Sequence, residues 1–365
     1  MKIMMFGHKS LPSRAGGVEV VVMELAVRLT ELGHSVTCCS RGGKSGIYRG
    51  VRCKAMPVIP GKGLAAVSAG FFAAIYSAVS SAEVVHIHGE GPAFWCWILK
   101  LTGKRVVVTV HGLDWQREKW RGSLGSVFIR SGERAAVRFA DEIIVLSRNV
   151  QQYFLREYRR KTIYIPNGTS LAEPVPGEGI LRLGLKKDQY LLFLGRLVPE
   201  KGIHYLIEAF KDLKTEKKLV IAGSSSDTDA YAARLKEMAS SDPRILFTGF
   251  AEGKLLKELY SNAYCYILPS DLEGMPLTLL EALGYGNCCV VSDIPECAEV
   301  VGSSALLFPK GDVDGLRSCL QQLCDAPETA AQYRQKALRL VQEKYSWEEI
   351  VRQTVMNCYE NSDDQ

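Results

Sequence analysis

None of the eleven cysteines stands in a CxxC pair or a metal-like Cys/His spacing, and an odd number cannot all pair with one another. This excludes a disulfide-stapled secreted module and a zinc ribbon, and fits a reduced cytosolic protein. The adjacent pairs Cys38-Cys39 and Cys288-Cys289 lie in strand-like runs and read as core filler. The first strand, Lys2 to Phe6, opens almost at Met1, which leaves no room for a signal peptide. One long apolar run, Leu64 to Ser80, stops at 17 residues and is rich in Ala, Ser and Gly; it reads as a buried helix between two strands rather than a membrane span. A GxGxxG fingerprint is absent, as are short-period repeats and any nucleic-acid fold signature with interleaved aromatics.

What is present is a charge asymmetry. Residues 1–170 carry 24 Lys+Arg against 11 Asp+Glu, a net +13; residues 171–365 carry 21 against 29, a net −8, and the halves close on the total of +5. A basic N-terminal half points to an anionic partner. Without a nucleic-acid signature, an anionic membrane surface is preferred to nucleic acid, which places the protein in the cytoplasm and peripheral on the inner face of the cell membrane. A merely solvated basic face is the other reading.

At 365 residues the chain exceeds what one core usually supports, so two domains are expected. Short β-branched runs alternate with helical patterns in both halves, which predicts doubly wound parallel sheets. The N-terminal strands are Lys2–Phe6, Val36–Ser40, Val84–His88, Arg105–His111, Glu142–Leu146 and Ile163–Pro166, with a glycine-rich basic loop from Arg41 to Gly50. The C-terminal strands are Tyr190–Leu194, Lys218–Ala222, Ile245–Thr248, Tyr264–Leu268, Cys288–Ser292 and Ala305–Phe308. The boundaries expected are an N-terminal domain over 1–170, a Pro/Gly/Glu-rich linker over 171–187, a C-terminal domain over 188–344, and a final amphipathic helix and tail over 345–365, with Ser346 as its N-cap. Two such domains place a ligand in the cleft between them, outside the strand ends.

The most informative stretch is Ser270 to Gly286, a strand end, a turn and a helix. Pro276 suits the first helical position, and the amides of Met275, Leu277 and Thr278 then form an anion site aided by the helix dipole. Glu273 and Glu281 flank that site. Carboxylates would repel a phosphate, but they suit a diphosphate with hydroxyl-rich groups on both sides, a nucleotide sugar. The alternative is a turn residue and a solvated helix position. After Tyr190–Leu194, Arg196 and Lys201 lie in a loop that leads into a helix and supply the positive charge a diphosphate needs. Gly16-Gly17 at a helix start would let a phosphate approach the backbone. His111-Gly112 closes a strand, where a histidine can bond a sugar hydroxyl or a leaving phosphate, and Asp114-Trp115 follows. His86 and His88 share one sheet face without further ligands nearby in sequence, so no zinc site is expected. The DxD-like Asp227-Thr228-Asp229 and Asp312-Val313-Asp314 read as a loop and a helix cap. Trp95, Trp97, Trp115 and Trp120 could stack on acceptor sugars or dip into lipid, with core packing preferred for the first two.

Together Gly16-Gly17, His111-Gly112, Gly195-Arg196 to Lys201-Gly202 and the Glu-x7-Glu motif Glu273 to Glu281 resemble the retaining GT-B glycosyltransferases of the family that contains sucrose synthases and bacterial mannosyltransferases. The run His111 to Trp120 (HGLDWQREKW) is similar to a bacterial surface-polysaccharide, rhamnosyltransferase-like subgroup. The resemblance covers essentially the whole chain. It implies an α/β GT-B architecture, two Rossmann-like domains facing a deep cleft, with the C-terminal helix crossing back to the N-terminal domain. It implies donor contacts from Gly17, Arg196, Lys201, Gly274, Met275, Pro276, Leu277 and Glu281, with Glu281 on the ribose, Glu273 on the donor sugar and His111 near the anomeric carbon. Asp114 and Trp115 fall on the acceptor side. No metal or other cofactor is implied; the expected partners are a nucleotide-sugar donor and a lipid-linked or saccharide acceptor. A nucleotide-sugar binding or regulatory protein without transferase activity, a sugar-nucleotide epimerase and a glycogen-type synthase are the alternatives.

Overall fold

The computed structural model describes residues 1–360 apart from residues 15, 62, 117–119, 121–122 and 226–227. The chain forms two compact units, Met1–Gly168 joined by the C-terminal segment that starts at Trp347, and Thr169–Ser346.

The first unit is built on β1 (Lys2–Phe6), β2 (Ser35–Ser40), β3 (Gly46–Tyr48), β4 (Val51–Ala55), β5 (Val84–His88), β6 (Arg105–Val110), β7 (Glu142–Val145) and β8 (Ile163–Tyr164). Their order across the sheet is β3-β4-β2-β1-β5-β6-β7-β8. Every pairing is parallel except β3 on β4. Helices cover both faces of such a sheet, so its strands become near-continuous apolar runs. All five residues of β5 are buried, its two histidines included. The loop expected over Arg41–Gly50 instead contains β3, an edge strand whose three residues are all exposed. An edge strand with no buried face carries no apolar alternation, so nothing in its composition marks it.

The second unit carries β9 (Tyr190–Leu194), β10 (Lys218–Ala222), β11 (Ile245–Gly249), β12 (Cys265–Leu268), β13 (Cys288–Ser292) and β14 (Leu306–Phe308), all parallel, in the order β11-β10-β9-β12-β13-β14. This is the doubly wound order of nucleotide-binding sheets, with its switch point between β9 and β12. The chain leaves β9 toward one edge and β12 toward the other, so the loops that follow these two strands start side by side at the sheet's C-terminal edge. Residues 171–187 fold with this unit, where the amides of Gly179 and Ile180 in the helical turn Glu178–Leu181 donate to Glu258 Oε2 at 2.6 and 3.0 Å.

The C-terminal helix Trp347–Thr354 packs on the Gly17–Glu31 helix, with the Arg28 guanidinium 5.5 Å over the Trp347 ring. A π-helical turn, Val355–Tyr359, then carries Tyr359 Oη to 2.7 Å from His86 Nδ1, and Cys358 O accepts from Arg105 Nε at 2.7 Å. The helix therefore returns to the N-terminal unit. Cys38, Cys39, Cys288 and Cys289 are buried thiols in strands, and all eleven cysteines are free.

Two expectations about burial fail. The apolar run is a helix, Leu64–Val79, but it is not buried all round: Leu64, Phe71, Ile75 and Val79 face solvent. Trp97 is exposed rather than packed in the core, while Trp95 is half-buried and donates from Nε1 to Val67 O at 3.2 Å. The run is long enough to cover a sheet face, but a single helical layer has an outer side as well, and hydropathy alone does not say which residues take it.

Candidate active site

In the second unit the loops after β9 and β12 meet at the switch point. Val198 leads into a single 3-10 turn, Pro199–Lys201, which ends at Gly202 in the left-handed region (φ 63°). A side chain there would run into the Pro269 carbonyl at the end of β12. Glycine lets the two loops touch, and the Asp271 amide donates to Glu200 O at 2.8 Å. The contact brings Lys201 Nζ to 2.5 Å from Glu273 Oε1, with the two side chains only 11% and 9% exposed. Ser270 Oγ also donates to that oxygen, at 2.6 Å, and Ser292 Oγ fixes the Ser270 carbonyl at 2.6 Å. Lysine and carboxylate are 72 residues apart in sequence, and they form one nearly dehydrated ion pair.

The helix that follows is Leu277–Gly284, and Pro276 is its N-cap (φ −77°, ψ 101°) rather than its first residue. The Pro276 carbonyl takes the first bonds of the helix, from Leu279 and Leu280 at 3.1 and 3.2 Å. An extended cap whose carbonyl already accepts is how a helix begins, and the amides of Leu277 and Thr278 in its opening turn point outward along the axis. Tyr266 Oη donates to Thr278 Oγ1 at 2.8 Å and so ties this turn to β12. Met275 and Pro276 are buried, and Gly274 is half-buried. One turn further on, Glu281 Oε2 accepts from Tyr260 Oη at 3.3 Å, and Tyr260 stacks on Tyr285 at 5.2 Å. Glu281 is thus a half-buried, held carboxylate rather than a freely solvated one. Arg196 lies half-buried in the loop after β9. That loop is secured by Thr228 Oγ1 on Leu197 O at 2.7 Å.

The DxD-like triplets take structural positions. Asp312 caps the Val313–Asp325 helix through the Gly315 amide at 2.9 Å. Thr228 is the cap residue of the Asp229–Ala239 helix, and Asp227 lies outside the described residues. Among the described residues no group of three or more His, Cys, Asp or Glu could hold a metal ion.

In the first unit the register pairs His88 with Thr109, so the ends of β5 and β6 present their side chains together. His111, one residue past β6, brings Nε2 to 3.1 Å from His88 Nδ1, with the rings stacked at 5.3 Å. His88 stacks in turn on His86 at 4.2 Å, and His86 Nε2 lies 2.7 Å from Thr109 Oγ1. The loop after His111 is anchored from beneath by two fully buried carboxyls, which the sequence reading missed. Asp114 donates its amide to Glu90 Oε2 at 2.7 Å, and Trp115 Nε1 donates to Glu133 Oε2 at 3.3 Å, with Arg130 lying 4.5 Å over the indole. Tyr153 Oη and Tyr158 Oη both donate to Glu133 Oε1. Burial, and next its hydrogen bond to Glu133, push the Glu90 carboxyl well above the usual carboxylate range. A glutamate on an amphipathic helix ordinarily reads as solvated. The one local signal here is Gly132, where a side chain would collide with the Glu90 carbonyl. Glu133→Ala leaves three donors without their acceptor, and we expect it to lower unfolding stability by about 2–4 kcal/mol in urea titrations.

Gly17 is the first residue of its helix, as expected, but Glu19 in the same turn is buried and accepts the Lys9 amide at Oε1, at 2.8 Å. A phosphate reaching Gly17 would meet that carboxylate's field. Arg117 to Lys119 of the HGLDWQREKW run lie outside the described residues.

The buried histidines set an expected pH dependence for this unit. Burial depresses His8 and His86 to about 3 and His88 well below its ordinary 6.5. Their contribution to stability is therefore complete above pH 6.5 and is lost as pH falls toward the folded values. Glu90, raised from 4.5, has the opposite sign: its contribution is complete below pH 4.5 and lost as pH rises through its folded value. Between those limits the depressed histidines and the raised Glu90 act in opposite directions, and the histidines outnumber it, so stability falls as pH falls. Urea midpoints should fall from pH 6.5 to pH 4.5, and His8→Gln should make that fall shallower.

Residues 15–173 match the family model "Glycosyltransferase Family 4", and residues 182–339 match "Glycosyl transferases group 1". The chain is a group 1 glycosyltransferase. It is 25% identical to the alpha-maltose-1-phosphate synthase of Mycolicibacterium smegmatis, over 97% of this chain and 98% of that one. It is also 28% identical to the UDP-Gal:alpha-D-GlcNAc-diphosphoundecaprenol alpha-1,3-galactosyltransferase of Escherichia coli, over 67% and 66%. Among solved structures, Anabaena HepE in complex with UDP and glucose shares the fold at a TM-score of 0.83 and 17% identity, over 98% of this chain and 99% of that one. The GT-B fold and the glycosyltransferase assignment thus agree with the nucleotide-type switch point of the second sheet.

Proposed function

We propose that this glycosyltransferase moves a sugar from a nucleotide diphosphate sugar to a lipid-linked saccharide or polyprenyl-diphosphate-type acceptor in cell-surface polysaccharide biosynthesis, with retained anomeric configuration and no metal. The observation that carries the donor half is the meeting, at the switch point of the second sheet, of a helix N-terminus with the nearly buried pair Lys201–Glu273. Arg196, Lys201 and the amides of Leu277 and Thr278 neutralise the diphosphate and stabilise it as it leaves, with Gly17 as a further phosphate contact. Gly274, Met275 and Pro276 shape the turn around it. Glu281 accepts from the ribose hydroxyls, Glu273 from a donor-sugar hydroxyl, and His111 contacts the sugar near the reacting carbon. The departing phosphate takes the acceptor proton on the face where the new bond forms. Asp114 and Trp115 lie on the acceptor side. A lipid-borne acceptor is supported by the activity of the E. coli relative and by the +13 N-terminal half, and UDP-hexoses are the first donors to try, given the UDP and glucose of the Anabaena protein. A second reading, transfer that makes a phosphorylated saccharide, is favoured by the full-length match to alpha-maltose-1-phosphate synthase.

The test is a screen of UDP-, GDP- and dTDP-sugars with a polyprenyl-diphosphate saccharide or a sugar phosphate, reading released nucleotide and product. Nucleotide release that depends on the lipid acceptor supports the proposal. Tight donor binding without turnover would favour a regulatory protein, an epimerised donor an epimerase, and a linear glucan a glycogen-type synthase.

A further inference from the structure

The Leu64–Val79 helix has no charged residue at any of its sixteen positions. Ala69, Ala73, Ala74 and Ser77 turn inward; Leu64, Phe71, Ile75 and Val79 form an outward stripe and are 55%, 37%, 41% and 78% exposed. The solvent side of a surface helix normally carries the charges. The apolar surface also continues beyond this helix. Phe71 meets Trp95 edge-on at 5.0 Å, Trp95 meets Phe94 at 5.0 Å, and Phe94 meets Phe128 at 5.1 Å. This aromatic series leads to the Leu124–Phe139 helix, which packs beside the Cys96–Leu101 helix and opens with Leu124 and Val127, both largely exposed.

Cations border the apolar surface. Lys54 Nζ sits 4.2 Å over the Tyr76 ring, Lys104 Nζ holds the Ser80 and Ala82 carbonyls, and Lys100, Arg134 and Arg138 are exposed. Glu133, the one carboxyl on these three helices, and the neighbouring Glu90 are fully buried. Beyond these helices, the exposed Glu83 accepts the Lys2 amide, and Asp141 accepts from Lys100 and the Val106 amide.

We propose that this face docks on an anionic lipid bilayer, with Phe71, Ile75 and Leu64 at the acyl boundary and the lysines and arginines at the level of the phosphates. An apolar stripe with a basic border and, among the described residues, no outward carboxylate on its own helices matches an anionic interface, whereas a protein partner would ordinarily meet charges of both signs. The helix lies on the surface rather than through it: no helix among the described residues is long and apolar enough to cross a membrane. The docking gives purpose to the lipid-borne acceptor and rests on that reading only for its purpose.

The experiment is co-flotation of the full chain with phosphatidylglycerol-containing or pure phosphatidylcholine vesicles, comparing the native protein with Phe71→Glu/Ile75→Glu and with Arg134→Glu/Arg138→Glu. Both sites are exposed, so thermal melts should coincide with the native one. Native protein should bind the anionic vesicles, salt-sensitively, and each double variant should bind about tenfold more weakly. Nucleotide affinity by calorimetry should not move. Equal vesicle binding by the native and Phe71→Glu/Ile75→Glu proteins, or no preference for anionic lipid, would overturn the proposal. So would concentration-dependent self-association that the same substitutions abolish, since the face would then belong to a second copy. Vesicle binding without transfer to any lipid-linked acceptor would retain the docking and refute the acceptor reading.

Discussion

Lys201→Ala should weaken the binding of nucleoside diphosphate by about a hundredfold, because it removes a cation and also exposes a repulsive group. In the folded chain the Lys201 ammonium sits on Glu273 Oε1, 2.5 Å away. An ammonium has three donors, so it can keep that carboxylate and still reach a phosphate oxygen. Without it, Glu273 becomes a nearly buried carboxylate beside the anion it helped to accommodate. Isothermal calorimetry with UDP, GDP and dTDP checks this. Affinity within about threefold of native for every nucleotide would remove Lys201 from the donor site, since even one charge-assisted bond is worth more than that.

The second large effect is of the opposite kind. Glu273→Gln should lower kcat by about a hundredfold while nucleotide diphosphate binds as well as before, or more tightly. The reason is again the pair: neutralising Glu273 leaves Lys201 uncompensated and more available to the diphosphate, while the donor-sugar hydroxyl loses its charged acceptor. Ser270 and Lys201 can both still donate to an amide oxygen, so the turn should persist. Glu281→Ala gives the contrasting result, a loss confined mainly to binding, because its partners are Tyr260 and, in the proposed complex, the ribose. Steady-state kinetics alongside calorimetry separates the two. A Glu273→Gln enzyme with native kcat and weakened nucleotide binding would reverse the roles assigned to the two glutamates.

The strands of the nucleotide-type sheet were legible because a strand covered on both faces must be apolar along its whole length, and β9, β10 and β13 start and stop where the apolar runs do. The loops after β9 and β12 were legible as well. Glycines, cations and carboxylates at strand ends have few structural reasons to cluster, so Arg196, Lys201, Glu273 and Glu281 stand out at once. Pro276 was placed one position too far into its helix, because its ring suits the cap and the first turn about equally and only the carbonyl's bonding partners separate them. β3 was missed for want of a buried face, and the outward stripe of Leu64–Val79 because an apolar helix reads the same whether its second side meets protein or something else.

Local pattern thus determined the fold class, the parallel sheets and the residue types of the loops after β9 and β12, since all three depend on interactions between near neighbours in the chain. Tertiary structure alone decided that Lys201 and Glu273 are partners, that His111 rests on His88, and that Glu90 and Glu133 anchor the loop beneath Trp115. Each of these joins groups from different strand ends or helices. Such a contact depends on the sheet order and on a close approach at Gly202 or Gly132, and neither is a property of any local stretch of sequence.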